Sequence, residues 1–252
     1  MRLILGLIAI LVIAFPSFRL HAARIRVSQE SRPGAGDFDE NVLGTIESAD
    51  TGGVSAAEFY SYSEEYYYSF GGNGPRLRAD TSQIFVVSAK EGLTLFIVHD
   101  SPDDEDGGIA VLRLKVEGDP DGADILVFDD PFSDWDSYEI QLDQRLFIAR
   151  HRWFPCCTDG LVLGTLEGSW RLFIEFPVED EFFGSETIQG LRFWTVLSAG
   201  GSEIPLAMEK GRRVRLDPVR ALAQKTVPRL RNSDKGRVKD LPLRQLTFDP
   251  PS

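Results

Sequence analysis

Short apolar runs that alternate with polar interruptions dominate the middle of the chain. Runs such as SQIFVVSA, LTLFIVHD, IAVLRLKV and DILVFDD are typical of β-strands. The same spacing continues through LVLGTLEG, WRLFIEF, IQGLRFWTVLS and SEIPLAM, with turns rich in Gly, Pro and Asp between them. No stretch of this body keeps a helical period over three turns. The pattern therefore predicts an all-β fold, an antiparallel, jelly-roll-like β-sandwich.

One tyrosine-rich stretch, SAAEFYSYSEEYYYSF, follows the same period of two. Tyr60, Tyr62, Tyr66, Tyr68 and Phe70 would lie on one face of a strand, with serine and glutamate mostly on the other. We therefore expect a half-buried strand here, at the start of the sandwich.

The N-terminus has the pattern of a secretory signal peptide, residues 1–23. A positively charged start precedes the apolar run from Leu3 to Phe15, and small residues follow at Ala22 and Ala23. The run is shorter than the roughly 20 residues that span a bilayer. We expect cleavage, no stable membrane span in the mature chain, and a secreted, periplasmic or cell-surface location.

The rest of the chain divides into three predicted parts. Residues 24–50 are rich in glycine and charge and are expected to be loosely ordered, and residues 51–208 form the sandwich. Residues 209–252 form a basic, mostly irregular tail. A short helix is expected near residues 217–225, where an Asp-Pro pair supplies the cap and the first helical position.

Charge is distributed unevenly along the chain, whose net charge is −12. Residues 24–205 carry 13 Lys and Arg against 34 Asp and Glu, whereas residues 206–252 carry 12 against 5. So acidic a body excludes nucleic acid and anionic lipid surfaces as partners. The basic tail has two possible partners, the acidic body itself or an external anionic surface.

The two cysteines, Cys156 and Cys157, are adjacent, in the stretch HRWFPCCTDG. Export favours oxidation, and adjacent cysteines can close into an eight-membered ring that forms a rigid apolar plate. Two buried thiols, or a disulfide between chains, are the alternatives. A redox catalyst is disfavoured because the C-x-x-C spacing is absent. We predict the vicinal disulfide, with the plate as a ligand-stacking surface.

Three acidic segments lie between predicted strands: HDSPDDEDGG, EGDPDGAD and DDPFSDWD. Calcium takes six to eight oxygen ligands, which flexible loops rich in Asp and Gly can supply. No segment has the EF-hand register, and solvated turns are the alternative. The candidate calcium ligands are Asp100, Asp103, Asp104, Asp106, Asp119, Asp121, Asp129 and Asp130.

Tryptophan supplies the remaining binding candidates. Trp135 lies in an acidic loop, and Trp153 lies beside the cysteines. An aromatic ring beside carboxylates is suited to sugar binding, through stacking and hydrogen bonds, although both residues could instead pack in the core. The predicted ligand-binding residues are Trp135, Trp153, Cys156 and Cys157.

Catalysis has weaker support in the sequence. His99 and His151 are the histidines that follow the leader, and with the loop carboxylates they could serve acid–base chemistry or glycoside hydrolysis. However, the chain has no G-x-S-x-G elbow and no recognisable zinc spacing.

The stretch WFPCCTDGLVLGTLEGSW, residues 153–170, together with VFDDP and IQGLRFWTVLS, resembles a module of uncharacterised exported bacterial proteins, many of PEP-CTERM type. The resemblance covers roughly residues 84–206. It implies an exported β-domain and carries no catalytic residues. The C-terminal residues lack the Pro-Glu-Pro sorting signal, so sorting by that route is not expected.

We therefore expect an exported, non-catalytic binding or structural module that contacts a glycan or another extracellular polymer, with calcium in its acidic loops. A polysaccharide hydrolase that uses loop carboxylates is the first alternative. A self-associating envelope or matrix component is the second.

Overall fold

A computed structural model describes residues 22–61, 70–72, 74–102, 104–118, 123–130 and 136–219. These residues form two packed β-sheets and one short helix, which confirms the predicted all-β sandwich. In chain order the elements are β1 (Arg24–Gln29), β2 (Val42–Glu47), β3 (Ala49–Asp50), α1 (Ala56–Tyr60), β4 (Thr81–Ala89), β5 (Gly92–His99), β6 (Gly108–Glu117), β7 (Asp124–Phe128), β8 (Ser137–Gln141), β9 (Leu146–Trp153), β10 (Asp159–Leu166), β11 (Arg171–Glu175), β12 (Ile188–Gln189), β13 (Phe193–Leu197), β14 (Glu203–Leu206) and β15 (Val214–Pro218).

The two sheets are mostly antiparallel. The first has the order β2-β1-β15-β11-β6-β9-β8, with β12 paired to β6. The second has the order β14-β13-β4-β5-β10-β7, with β3 paired to β4. Only the pairs β13–β4 and β3–β4 are parallel among the described strands. Short hairpins connect β4 to β5, β8 to β9 and β13 to β14, whereas most other neighbours in the sheets are distant in the chain.

The main core lies between the sheets and follows the period of two. In β6, Ala110, Leu112 and Leu114 face inward and are fully buried, whereas Arg113 and Lys115 face outward. Residues on the inner faces of both sheets join this cluster, so burial of alternate apolar side chains is the main stabilising contribution.

A second apolar cluster covers the opposite, outer face of the second sheet. Phe85, Phe96 and Val162 of that sheet pack with Tyr60 and Phe70. Helix α1 supplies Tyr60, so the predicted strand is wrong in its described first part. Ser55 caps the helix: its Oγ accepts a hydrogen bond from the N–H of Glu58 (3.2 Å), and the Glu58 carboxylate accepts one from the N–H of Ser55 (2.8 Å).

This capping box starts the helix although the tyrosine spacing favours a strand. The remaining tyrosines of the predicted strand, Tyr62, Tyr66 and Tyr68, lie outside the described residues.

Residues 24–50 are not loosely ordered as predicted, because they supply β1 and β2 at one edge of the first sheet. The prediction that an irregular tail starts at residue 209 is also wrong. Strand β15, which follows that position, lies between β1 and β11 in the first sheet. Val214 and Leu216 of β15 are buried, and Arg215 and Asp217 alternate with them on the outer face. A helix therefore does not begin at Asp217, and residues from 220 onward lie outside the described part of the chain.

Ion pairs fasten β15 to the N-terminal segment. Arg213 Nη2 lies 2.6 Å from Glu30 Oε1, and Arg215 Nη2 lies 2.6 Å from Asp39 Oδ1. Glu30 is fully buried and also accepts a hydrogen bond from the N–H of Gly36. Charge complementarity therefore holds Arg213 and Arg215 against acidic residues of the N-terminal segment. Within the described ranges, no helix is both long enough and apolar enough to cross a membrane.

Candidate functional site

Three loops meet at one end of the sandwich, which we call the loop end. They connect β5 to β6, β7 to β8, and β9 to β10. The strand registers fix this arrangement: His99 lies opposite Asp159, and Gly108 lies opposite Trp153. Two of the three predicted acidic segments therefore share this end with the cysteines. The third follows β6 at the opposite end.

The predicted vicinal disulfide between Cys156 and Cys157 is confirmed. Phe154 is 59% exposed, and Pro155 and Cys156 are also exposed. We call residues 154–157 the disulfide plate. Cys156 has a φ of 92°, a value that non-glycine residues rarely adopt without a local constraint, which the eight-membered ring supplies. The result is a small apolar surface of fixed shape at the loop end.

Backbone hydrogen bonds hold the plate in position. The N–H of Cys156 donates to the Asp104 carbonyl (2.9 Å), and the N–H of Cys157 donates to the Phe154 carbonyl (3.2 Å). Thr158, which follows the plate, accepts a hydrogen bond from the N–H of Phe70 through its Oγ1 (2.9 Å). The plate is thus joined to the β5–β6 loop on one side and to the outer apolar cluster on the other.

Trp153, predicted to bind ligand, lies beneath the plate and is only 5% exposed. Its Nε1 donates a 2.8 Å hydrogen bond to Asp100 Oδ2, and its ring stacks on His99 with a centroid distance of 5.5 Å. Trp153 therefore supports the loop end and presents no open face to a ligand. Trp135, the other candidate tryptophan, lies outside the described residues.

Asp100 and Asp104, both predicted calcium ligands, are occupied by N–H donors. Asp100 Oδ1 accepts from the N–H groups of Ser101 (2.9 Å) and Asp80 (3.1 Å). Asp104 accepts from Asp80 (3.2 Å) and Asp106 (3.2 Å). Burial is the main cause that raises the pKa of Asp100 to about 6, and the hydrogen bond with Asp104 is the second. When protonated, the Asp100 carboxyl can donate this hydrogen bond to Asp104.

Two histidines face each other inside the loop end, one from each sheet. The rings of His99 and His151 lie 5.1 Å apart, and both side chains are fully buried. His99 Nδ1 is hydrogen-bonded to Ser82 Oγ (3.0 Å), whereas His99 Nε2 and both nitrogens of His151 have no partner among the described residues. Burial lowers the pKa of His99 to about 3 and holds that of His151 well below its usual range. Both rings are therefore neutral.

Beside the histidines lie three carboxyl groups, Asp129, Asp136 and Asp159, which we call the aspartate cluster. Tyr60 donates from its hydroxyl to Asp129 Oδ2 (2.5 Å), and the N–H of Arg152 donates to Asp136 Oδ1 (2.9 Å). Asp159 Oδ1 accepts from the N–H of Gly160 (2.7 Å). One oxygen of each carboxyl has no hydrogen-bond donor among the described residues: Asp129 Oδ1, Asp136 Oδ2 and Asp159 Oδ2.

The aspartate cluster retains protons that isolated carboxyls would lose. Burial raises the pKa of Asp136 to about 7 and holds those of Asp129 and Asp159 well above their usual range. The charge of Asp130 raises all three pKa values further.

The described carboxylates predicted to bind calcium do not form one site. Asp100, Asp104 and the exposed Asp106 belong to the β5–β6 loop, whereas Asp129 and Asp130 directly follow β7. No group of three or more His, Cys, Asp or Glu side chains in the described ranges has the arrangement of a metal site. The other candidates, Asp103, Asp119 and Asp121, lie outside those ranges.

Sequence reasoning missed the partners that make the loop end a unit. These partners come from three separate segments: Tyr60 from α1, Asp136 and Tyr138 from around the start of β8, and Asp159 from the start of β10. Tyr138 donates from its hydroxyl to the carbonyl of Asp129 (3.0 Å). The available signals were Asp136, which ends the acidic segment DDPFSDWD, and Asp159, which lies two residues after the second cysteine. No family model matches the chain, and neither the curated proteins nor the solved structures contain a match.

Proposed function

We propose that the chain is an exported, non-catalytic binding module that contacts a glycan or another extracellular polymer through the disulfide plate. The observation that carries this proposal is the exposure of Phe154, Pro155 and Cys156 on a backbone that is held rigidly in place. A preformed apolar surface loses little conformational entropy when a ligand stacks on it. An exposed phenylalanine ring supplies the stacking area.

The location of the other polar groups favours binding over hydrolysis. His99, His151, Asp129 and Asp159 are at most 1% exposed, so a polymer cannot reach them in this structure. A general acid must come within hydrogen-bonding distance of the bond that it protonates. The buried groups are better suited to supporting the surface above them.

Export is part of the same proposal. The apolar leader and the disulfide both suit an oxidising compartment, where adjacent thiols remain joined.

Calcium remains a proposed ligand of the acidic loops.

The experiment compares retention of the chain by insoluble cellulose, chitin and xylan. We expect at least one polymer to retain the wild-type protein and Phe154→Ala to weaken that retention. Phe182→Ala is the matched control, because Phe182 is similarly exposed (68%) and lies outside the plate, over the guanidinium of Arg150 (4.6 Å from the ring centroid). Retention of Phe154→Ala equal to that of the wild type, or no retention of the wild type, would contradict the proposal.

A further inference from the structure

A groove runs along the edge of the second sheet, where β13 lies between β4 and β14. Its volume is about 430 Å³, within the range of roughly 300–1,000 Å³ that small-ligand sites occupy. Phe193, the first residue of β13, lines the groove and is 62% exposed. None of the binding residues predicted from the sequence lies in it.

Two ion pairs supply polar groups to the groove: Arg78, Glu203 and Arg192 line it, and Asp80 pairs with Arg192 from outside the lining. Arg78 Nη1 lies 3.0 Å from Glu203 Oε2, and Arg192 Nε lies 3.5 Å from Asp80 Oδ2. The side chains remain accessible, with exposed fractions of 44% for Arg78, 49% for Glu203 and 71% for Arg192. Arginine has five N–H donors and a carboxylate has about four acceptor sites, so one pairing contact leaves most of them available to a ligand.

This combination of groups suits a particular ligand chemistry. Sugar hydroxyls both donate and accept hydrogen bonds, and the apolar face of a sugar ring packs on an aromatic ring. Each arginine of the groove is paired with a carboxylate, Arg78 with Glu203 in the lining and Arg192 with Asp80 beside it, so neither positive charge is left uncompensated. The chain as a whole has a net charge of −12, which disfavours an anionic polymer.

The groove is held rigidly and is connected to the disulfide plate. The carbonyl of Asp80 accepts hydrogen bonds from the N–H groups of Arg192 (2.8 Å) and Phe193 (3.0 Å). The N–H of Asp80 donates in turn to Asp104 Oδ2 (3.2 Å), and the carbonyl of Asp104 accepts from Cys156. One chain of hydrogen bonds therefore runs from the groove to the plate.

We infer that this groove is a second binding site, specific for an uncharged carbohydrate, with Phe193 as its stacking surface and the Arg78–Glu203 and Arg192–Asp80 pairs as its hydrogen-bonding groups. The site goes beyond the proposed function, because it does not use the disulfide plate. A polymer long enough to reach both would bind more tightly than one that occupies either alone.

Affinity electrophoresis in gels that contain a soluble polysaccharide tests the inference. The probes are hydroxyethyl cellulose, soluble xylan, galactomannan and the anionic polygalacturonate. We expect at least one uncharged polymer to retard the wild-type protein more strongly than polygalacturonate does. Phe193→Ala should weaken that retardation about tenfold in apparent affinity. Arg192→Gln should weaken it less, because it leaves the ring in place.

Phe182→Ala is again the matched control and should migrate like the wild type. A circular dichroism melt of each variant shows whether the fold is retained. Unchanged retardation of Phe193→Ala, stronger retardation by polygalacturonate, or no retardation by any uncharged polymer would overturn the inference. Because Phe154→Ala tests the plate separately, loss with one variant and not the other identifies which of the two proposals fails.

Discussion

The indole Nε1 of Trp153 donates a 2.8 Å hydrogen bond to Asp100 Oδ2, deep within the loop end. Trp153 ends β9, and Asp100 directly follows β5, so this bond links the two sheets beneath the disulfide plate. The second oxygen of Asp100 accepts from the N–H groups of Ser101 and Asp80. The plate therefore rests on a fully hydrogen-bonded support.

Removing this bond should destabilise the fold. Trp153→Phe leaves Asp100 Oδ2 without its donor, and an unsatisfied buried acceptor costs about 1–3 kcal/mol. Trp194→Phe is the matched control. Trp194 is buried to a similar extent, but its Nε1 has no hydrogen-bond partner among the described residues. Urea unfolding should show that Trp153→Phe lowers the free energy of unfolding by about 1–3 kcal/mol more than Trp194→Phe does. Equal losses would show that the bond contributes nothing.

The disulfide should contribute little to global stability. It joins adjacent residues, so it removes little entropy from the unfolded chain. We expect Cys156→Ser with Cys157→Ser to unfold within about 1 kcal/mol of the wild type. Mass spectrometry under non-reducing conditions should find a monomer lighter than the dithiol by two hydrogen atoms. Two thiols that react with iodoacetamide in freshly purified protein would contradict the ring.

The aspartate cluster predicts a dependence of stability on pH. Burial raises the pKa of Asp136 to about 7, whereas an unfolded aspartate has a pKa of about 3.9. The contribution of the protonated carboxyl is therefore fully present below about pH 4 and is lost as the pH rises to about 7.

Asp136→Asn should remove this dependence. Relative to its effect at about pH 4, the substitution should favour the folded state by about 4 kcal/mol more at pH 8, because the pKa of Asp136 differs by about three units between the two states. Asp143→Asn, at an exposed position, is the control. Urea unfolding at several pH values measures the difference between each variant and the wild type. If the free energies of unfolding of Asp136→Asn and the wild type differ by the same amount at every pH, Asp136 is not buried in its protonated form.

Calcium binding by the acidic loops remains a prediction. A ligand that binds only the folded state raises its melting temperature, and weak extracellular sites need calcium at about 10⁻⁴–10⁻³ M. We expect a higher melting temperature in millimolar calcium than in chelator, with magnesium as the control ion. Identical melting curves in calcium and chelator would show that the acidic segments are solvated turns.

The sequence predicted the strands well because each buries alternate residues of an apolar run. The prediction failed at two elements, α1 and β15, where the alternation of apolar and polar residues was misleading or too short. The Ser55–Glu58 capping box starts a helix within an alternating stretch. Strand β15 has only Val214 and Leu216 as inward apolar residues, too few to distinguish it from a charged tail.

The candidate site was predictable only in part. Adjacent cysteines can be read directly from the sequence, and so can the acidic character of the loops. The contact between His99 and His151 cannot, because it depends on how two strands from different sheets face each other. The same holds for Asp129 and Asp159, whose burial follows from the packing of three loops.

The most direct test of the central claim, that the disulfide plate is the contact surface, measures the affinity of the oxidised and the reduced chain for one retained polymer. Opening the ring removes the fixed shape of the plate but should leave the melting temperature unchanged. We expect reduction to weaken binding about tenfold, which corresponds to about 1.4 kcal/mol. Equal affinities of the oxidised and the reduced protein would contradict the account.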